Sequence, residues 1–276
     1  MGHDTVEKPN LSFGRAGEPV RGTPYARYAR LDELHSLQHP LSEAPAELSF
    51  IVTTQVMELL FGLLRHEWTL AQRALRADDL PGALAALRRG THVQDVLTES
   101  WDLLATMTPQ EFNSFRAVFG EASGFQSSAF VHLEFLLGNK NAALLRMYDD
   151  SPAALAELTE VLRSPGLYDD ALALLARRGL KLPDTVSERR HQSDEAVAAA
   201  WRRVYAEDGY AELRPLAEAL LDVAERVTRW RHRHLMAVKR AMGAKPGSGG
   251  SSGLSWLRRS AEQDVFPELW EIRDGM

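Results

Sequence analysis

Apolar residues in this chain recur at helical spacing almost from end to end, and no stretch alternates at period two over a useful length. From Leu48 to about Leu75, residues Phe50, Met57, Leu60, Phe61 and Leu64 keep to one side of a helix. The run "DDLPGALAALRRGTHVQDVLTESWDLLATM" reads as a second long helix, capped by Asp79 with Pro81 in its first turn. "TPQEF" carries a capping box, with Thr108 as cap, Pro109 at the first helical position and Glu111 three residues on. "SAFVHLEFLLGN" is a shorter apolar helix ended by Gly138 and Asn139. "SPAALAELTEVL", "LYDDALALLARRG" and "DEAVAAAWRRVYAE" are three more, divided by Pro165, Gly179 and Pro183. The longest helix runs from about Leu213 to Met242. The expected fold is therefore all-α: one large domain of long packed helices over residues 21–276. Short helices at about 150–206 form a small insertion, and residues 1–20 form a flexible tail.

Composition narrows the chemistry. The chain has 276 residues and no cysteine, so zinc–thiolate, iron–sulfur and thioether-linked haem sites are excluded. A net charge of −6 without a basic block argues against nucleic acid. No apolar run of about 20 residues stands out, and the polar start lacks a leader's apolar core, so a cytoplasmic location off the membrane is expected.

Two histidines stand in "TRWRHRHLMAVKRAMGAKPGSGGSSG". Two residues along a helix turn through about 200°, so His232 and His234 face nearly opposite ways. The apolar stripe Leu220, Val223, Val227, Trp230, Val238 includes His234 and leaves His232 to solvent. An inward imidazole is either a core histidine bonded to a carbonyl or a ligand to metal or haem iron. Trp230 and Val238 occupy the positions one turn either side, which disfavours zinc but not a single axial bond to haem. The tract "KPGSGGSSG" reads as a flexible linker or as a clasp of converging backbone N–H groups.

Several stretches together resemble the tryptophan 2,3-dioxygenase family: "YARYARLDELHSLQHPLSE", "TMTPQEFNSFRAVFGEASGFQSSAFVHLEFLLGNKN", "WRHRH", "KPGSGGSSG" and "FPELW". They cover about Tyr25 to Trp270 in the family's order. The resemblance implies haem b as noncovalent cofactor, His234 as its axial iron ligand, and O2 as cosubstrate. It implies that Arg116 holds the carboxylate of a tryptophan-type substrate, a task suited to a planar guanidinium. Phe112 stands where the family usually has Tyr, Ser248 where a Thr meets the amino-acid end, and Phe50 where an aromatic packs on the indole. Tyr25, Tyr28 and Ala29 match a segment that reaches a neighbouring subunit's pocket in a homotetramer, with Ala29 replacing Leu. On the residues alone, Phe50 and Phe112 could be core, and Arg116 an ordinary ion-pair partner.

The departures cluster in the pocket. The family's histidine at the indole N–H becomes Thr54, whose hydroxyl can still accept that bond; Leu60 replaces an aromatic, Ala122 a serine, and the His-Asp before Glu47 is lost. Thr54, Phe112, Ala122 and Ala29 each remove bulk or a polar group. The expectation drawn from this remodelling resembles the tryptophan-dioxygenase-like oxygenases of natural-product pathways. It is monooxygenation of tryptophan or a bulkier derivative such as β-methyl-tryptophan, to a hydroxyindole or 2-oxindole with an external reductant. The alternatives are ring cleavage to N-formylkynurenine and a non-catalytic haem sensor.

Overall fold

A computed structural model describes residues 22–120, 122–183, 193–243, 245 and 253–275. The tail expected at residues 1–20 lies outside them. Twelve α-helices and several 3-10 turns make up the described residues, with no strand among them. The all-α expectation is met, and the chain separates at Pro40 into two compact units.

The first unit holds α1 (Pro24–Ala29) and α2 (Leu31–Leu34). Thr23 caps α1 by accepting from the Ala26 N–H at 3.2 Å. Arg30 ends it in the left-handed region, with φ 51°, and pairs with Glu33.

The second unit is built on three long helices, α3 (Pro45–Arg76), α4 (Leu80–Leu104) and α10 (Arg214–Met242). α4 packs along α3 on one side and α10 on the other. Gly90 permits a close approach: a Cβ there would sit 3.1 Å from Nε1 of the buried Trp68. Full burial of Phe61, Leu64, Trp68 and Leu75 on α3 stabilises this pairing by roughly 1.5–3 kcal/mol per side chain. The caps form as their residues require. The Asp79 carboxylate accepts from Gly82 N–H at 3.0 Å, and Thr108 and Glu111 close the capping box of α5 (Pro109–Phe115).

α3 also has the length and mean hydropathy (1.5 over an 18-residue window) of a membrane-crossing helix, a run that the apolar pattern alone did not single out. Its apolar residues divide between the core and an exposed stripe of Leu48, Val52, Val56, Leu59 and Leu63.

The shorter helices are α6 (Ser128–Leu136), α7 (Pro152–Arg163), α8 (Leu167–Arg177), α9 (Glu195–Ala206), α11 (Leu254–Ala261) and α12 (Pro267–Glu271). Leu172 and Leu175 of α8 and Trp201 of α9 join the same core as the long helices. Asp170 of α8 is buried and ties that helix to α3. It accepts from Gln72 Nε2 at 2.7 Å and from two nitrogens of Arg76 at 2.8 Å.

Candidate functional site

A cavity of about 540 Å³ opens between α3, α4, α5, α10 and α11, within the range of small-molecule and cofactor sites. Phe50, Thr54, Phe112, Arg116, Ala122 and His234, all singled out in the sequence, line it. Ser248 lies outside the described residues. Tyr25 and Tyr28 are 71% and 80% exposed on α1, and Ala29 is the last residue of that helix.

α10 forms one wall. Its buried stripe of Leu220, Val223 and Val227 faces α4 and carries Trp230 and His234 into the cavity, while His232 is exposed. The His234 ring stacks on Trp101 of α4, with centroids 4.2 Å apart and planes 9° from parallel. Trp230 flanks it at 5.4 Å. No described residue hydrogen-bonds the His234 ring nitrogens, which sets aside the carbonyl-bonded core histidine within the described structure. Desolvation pushes its pKa down to about 4. At neutral pH the ring is neutral and keeps a lone pair for a metal. Nε1 of Trp101 and of Trp230 are also buried without a partner among the described residues.

The opposite wall is aromatic. Phe50 stacks on Phe119 at 4.9 Å and packs against Phe112 and Phe115 at 6.0 and 5.7 Å. α5 places Phe112 and Arg116 one turn apart, the Arg116 N–H bonding to the Phe112 carbonyl, so both reach the cavity. Thr54 follows Phe50 by one turn of α3. The neighbouring Thr53 hydroxyl donates to the Ser49 carbonyl at 2.7 Å, as does Thr69 to Arg65 at 2.8 Å. Thr54 makes no such bond, leaving its hydroxyl to the cavity. The start of α3 is fixed by buried Glu47, which accepts from Leu41 N–H at 2.8 Å and Ser42 N–H at 2.7 Å. The Ser42 hydroxyl first, then these amides, lower its pKa.

Among the described residues no group of three or more His, Asp or Glu side chains could hold a metal ion. A metal held by side chains alone therefore does not fit the described site. A macrocycle that brings its own four nitrogens and asks one neutral imidazole of the protein does fit.

Three contributors were missed in the sequence. Phe112, Phe115 and Phe119 repeat at three- and four-residue steps, a signal that would have found Phe119. Arg231 precedes His234 by three and shares its face, again readable from spacing. Trp101 gave no such signal, because its role comes from the α4–α10 pairing.

The sequence profile of one family, described as Tryptophan 2,3-dioxygenase, matches residues 5–171 and 168–275. A tryptophan 2,3-dioxygenase of Caulobacter vibrioides is 44% identical over 254 residues, 90% of this chain and 97% of its own length. Those of Pseudomonas fluorescens and Cupriavidus necator are 40% and 41% identical, each over 91% of this chain and over 91% and 87% of their own lengths.

Proposed function

From the premise that the chain belongs to the tryptophan 2,3-dioxygenase family, oxidoreductases that act with O2 on tryptophan, we propose that it cleaves the indole ring of L-tryptophan to N-formylkynurenine. His234 would hold the iron of haem b, and the same cavity would take the substrate. The observation that carries this reading is a neutral imidazole, unbonded by any described residue, lining the same largely apolar cavity as Arg116.

When bound, the haem supplies the oxygen chemistry. The protein's own groups bind and orient. Arg116 takes the substrate carboxylate through charge-assisted hydrogen bonds, and Ser248 steadies the ammonium end. Phe50 packs on the indole, and the phenylalanine cluster around it keeps water away. The Thr54 hydroxyl accepts the indole N–H. Tyr25, Tyr28 and Ala29 complete the pocket of a neighbouring subunit in a homotetramer.

The sequence alone placed one-oxygen chemistry first and ring cleavage second. The relatives reverse that order, since the curated matches quoted above carry the dioxygenase name along nearly their full length. Ring cleavage also closes without a further reagent, because both atoms of O2 enter the product. Insertion of one atom sends the other to water and requires two electrons from a reductant. The remodelled positions Thr54, Phe112, Ala122 and Ala29 favour this second reading, Thr54 standing where the family has a histidine.

The test is turnover of L-tryptophan and of β-methyl-L-tryptophan under isotopically labelled O2, with and without ascorbate. Two labelled oxygens in the product, without ascorbate, are expected. A product carrying one label and formed only with ascorbate would establish the second reading instead.

A further inference from the structure

Two features remain without a role in the chemistry above: Arg231 within "WRHRH", and "LLGNKN" at the end of α6. The structure joins them in the interior. Arg231 of α10 is 3% exposed and Glu134 of α6 is 6% exposed. The Arg231 guanidinium donates to both carboxylate oxygens of Glu134 at 2.9 and 3.0 Å, from one terminal nitrogen. Its other terminal nitrogen donates to the carbonyls of Ser260 and Gln263, at 3.2 and 3.0 Å, where α11 ends. Asn139 of "LLGNKN" donates to Glu134 Oε2 at 2.7 Å and holds the carboxylate from behind. Gly138 turns the chain to bring Asn139 back, with φ 96°.

One side chain thus ties three elements together at the cavity wall. α10 carries His234 three residues on, α6 backs it, and α11 follows the glycine tract. The charge on Arg231 is matched by Glu134, so its place in the wall is not that of an anion site facing the cavity. A buried pair of this kind contributes little net stability over well-packed apolar residues, and its value lies in direction. Four donor bonds fix the rotation of α10 about its own axis at that turn, and that rotation sets where the His234 ring points.

We propose that the Arg231–Glu134 pair, braced by Asn139, is a positioning device for the iron-ligating imidazole. It holds α10 so that the His234 ring keeps one direction into the cavity. This rests on the reading of His234 as the haem ligand.

The experiment compares haemin-reconstituted wild-type protein with three variants. Glu134→Met/Arg231→Met replaces the pair by side chains of similar length, and Arg231→Lys keeps the charge but loses the fork. His234→Ala tests the underlying reading. Far-UV circular dichroism checks the fold. The readouts are the rate of haem transfer to apomyoglobin and the iron–histidine stretch of the ferrous protein in resonance Raman. Both pair variants should release haem on the order of ten- to a hundredfold faster, the range for residues that orient a metal ligand, with the stretch shifted or split. Wild-type release and an unchanged stretch in the folded double variant or in Arg231→Lys would overturn the proposal and leave His234 as ligand. A wild-type stretch in His234→Ala would instead remove the reading beneath it.

Discussion

The two walls of the cavity are held in different ways. The α10 wall is tied to its neighbours by polar bonds that run between helices. Arg231 reaches Glu134 and two carbonyls, Arg226 and Arg229 reach Asp95 at 3.0 and 3.3 Å, and Gln94 donates to the Val223 carbonyl at 3.1 Å. The α3–α5 wall is held largely by phenylalanine packing, with one polar anchor, Glu47, in the first turn of α3 just before Phe50. Hydrogen bonds are strongly directional, whereas apolar packing tolerates volume-conserving change. The side assigned to the metal has the first kind of support and the side assigned to the substrate the second. A single substitution can resize the substrate wall without disturbing the metal wall, and Thr54 stands on the resizable side.

The comparison breaks most visibly at Arg116. Arg116→Ala should lower kcat/KM for L-tryptophan on the order of a hundredfold, the scale for truncating one partner of a desolvated charge pair, while the haem spectrum stays as in wild type. A loss of haem in that variant would mean that the two walls are not separable. A subtler test is Thr54→Val, which keeps the volume and removes the hydroxyl. It should cost about two- to tenfold in kcat/KM, the value of one neutral hydrogen bond, and steady-state kinetics reads it directly. An unchanged value would show that the hydroxyl does not touch the substrate.

The smallest effect concerns the helix that backs the metal wall. His132 on α6 is pushed below the ordinary pKa of 6.5, first by burial and then by Arg65 of α3, with Lys140 adding and Glu157 of α7 opposing. The unfolded chain then binds more protons than the folded one below that value. Stability from this group is present above about pH 6.5 and is lost as the pH falls through it. In His132→Gln apoprotein, the decline in thermal midpoint between about pH 7 and 5 should flatten. An unchanged decline would assign it to other groups.

The sequence makes the two walls unequally legible. The α10 stripe and the opposite facing of His232 and His234 follow from a 3.6-residue repeat, and the structure keeps both. The Asp79 cap and the Thr108–Glu111 box are equally local, and both form. The stacking of Trp101 on His234 is not legible, because it depends on how α4 and α10 are aligned, which no local spacing encodes. The substrate wall was read through a resemblance rather than from periodicity, since nothing in the pattern of α3 distinguishes Thr54 from any other polar residue on a half-exposed turn. Arg231 lay between the two cases. Its spacing from His234 was visible, but its burial needed a carboxylate from a helix 97 residues away.

The central claim is that one imidazole of α10 holds a haem in the cavity that Arg116 also faces. The most direct measurement is the absorption spectrum of haemin-reconstituted wild-type and His234→Ala protein, each titrated with L-tryptophan. The account predicts a Soret band in the wild type that shifts as the amino acid binds, and a band lost or reduced to that of loosely held haemin in the variant. The same band and the same shift in His234→Ala would contradict it.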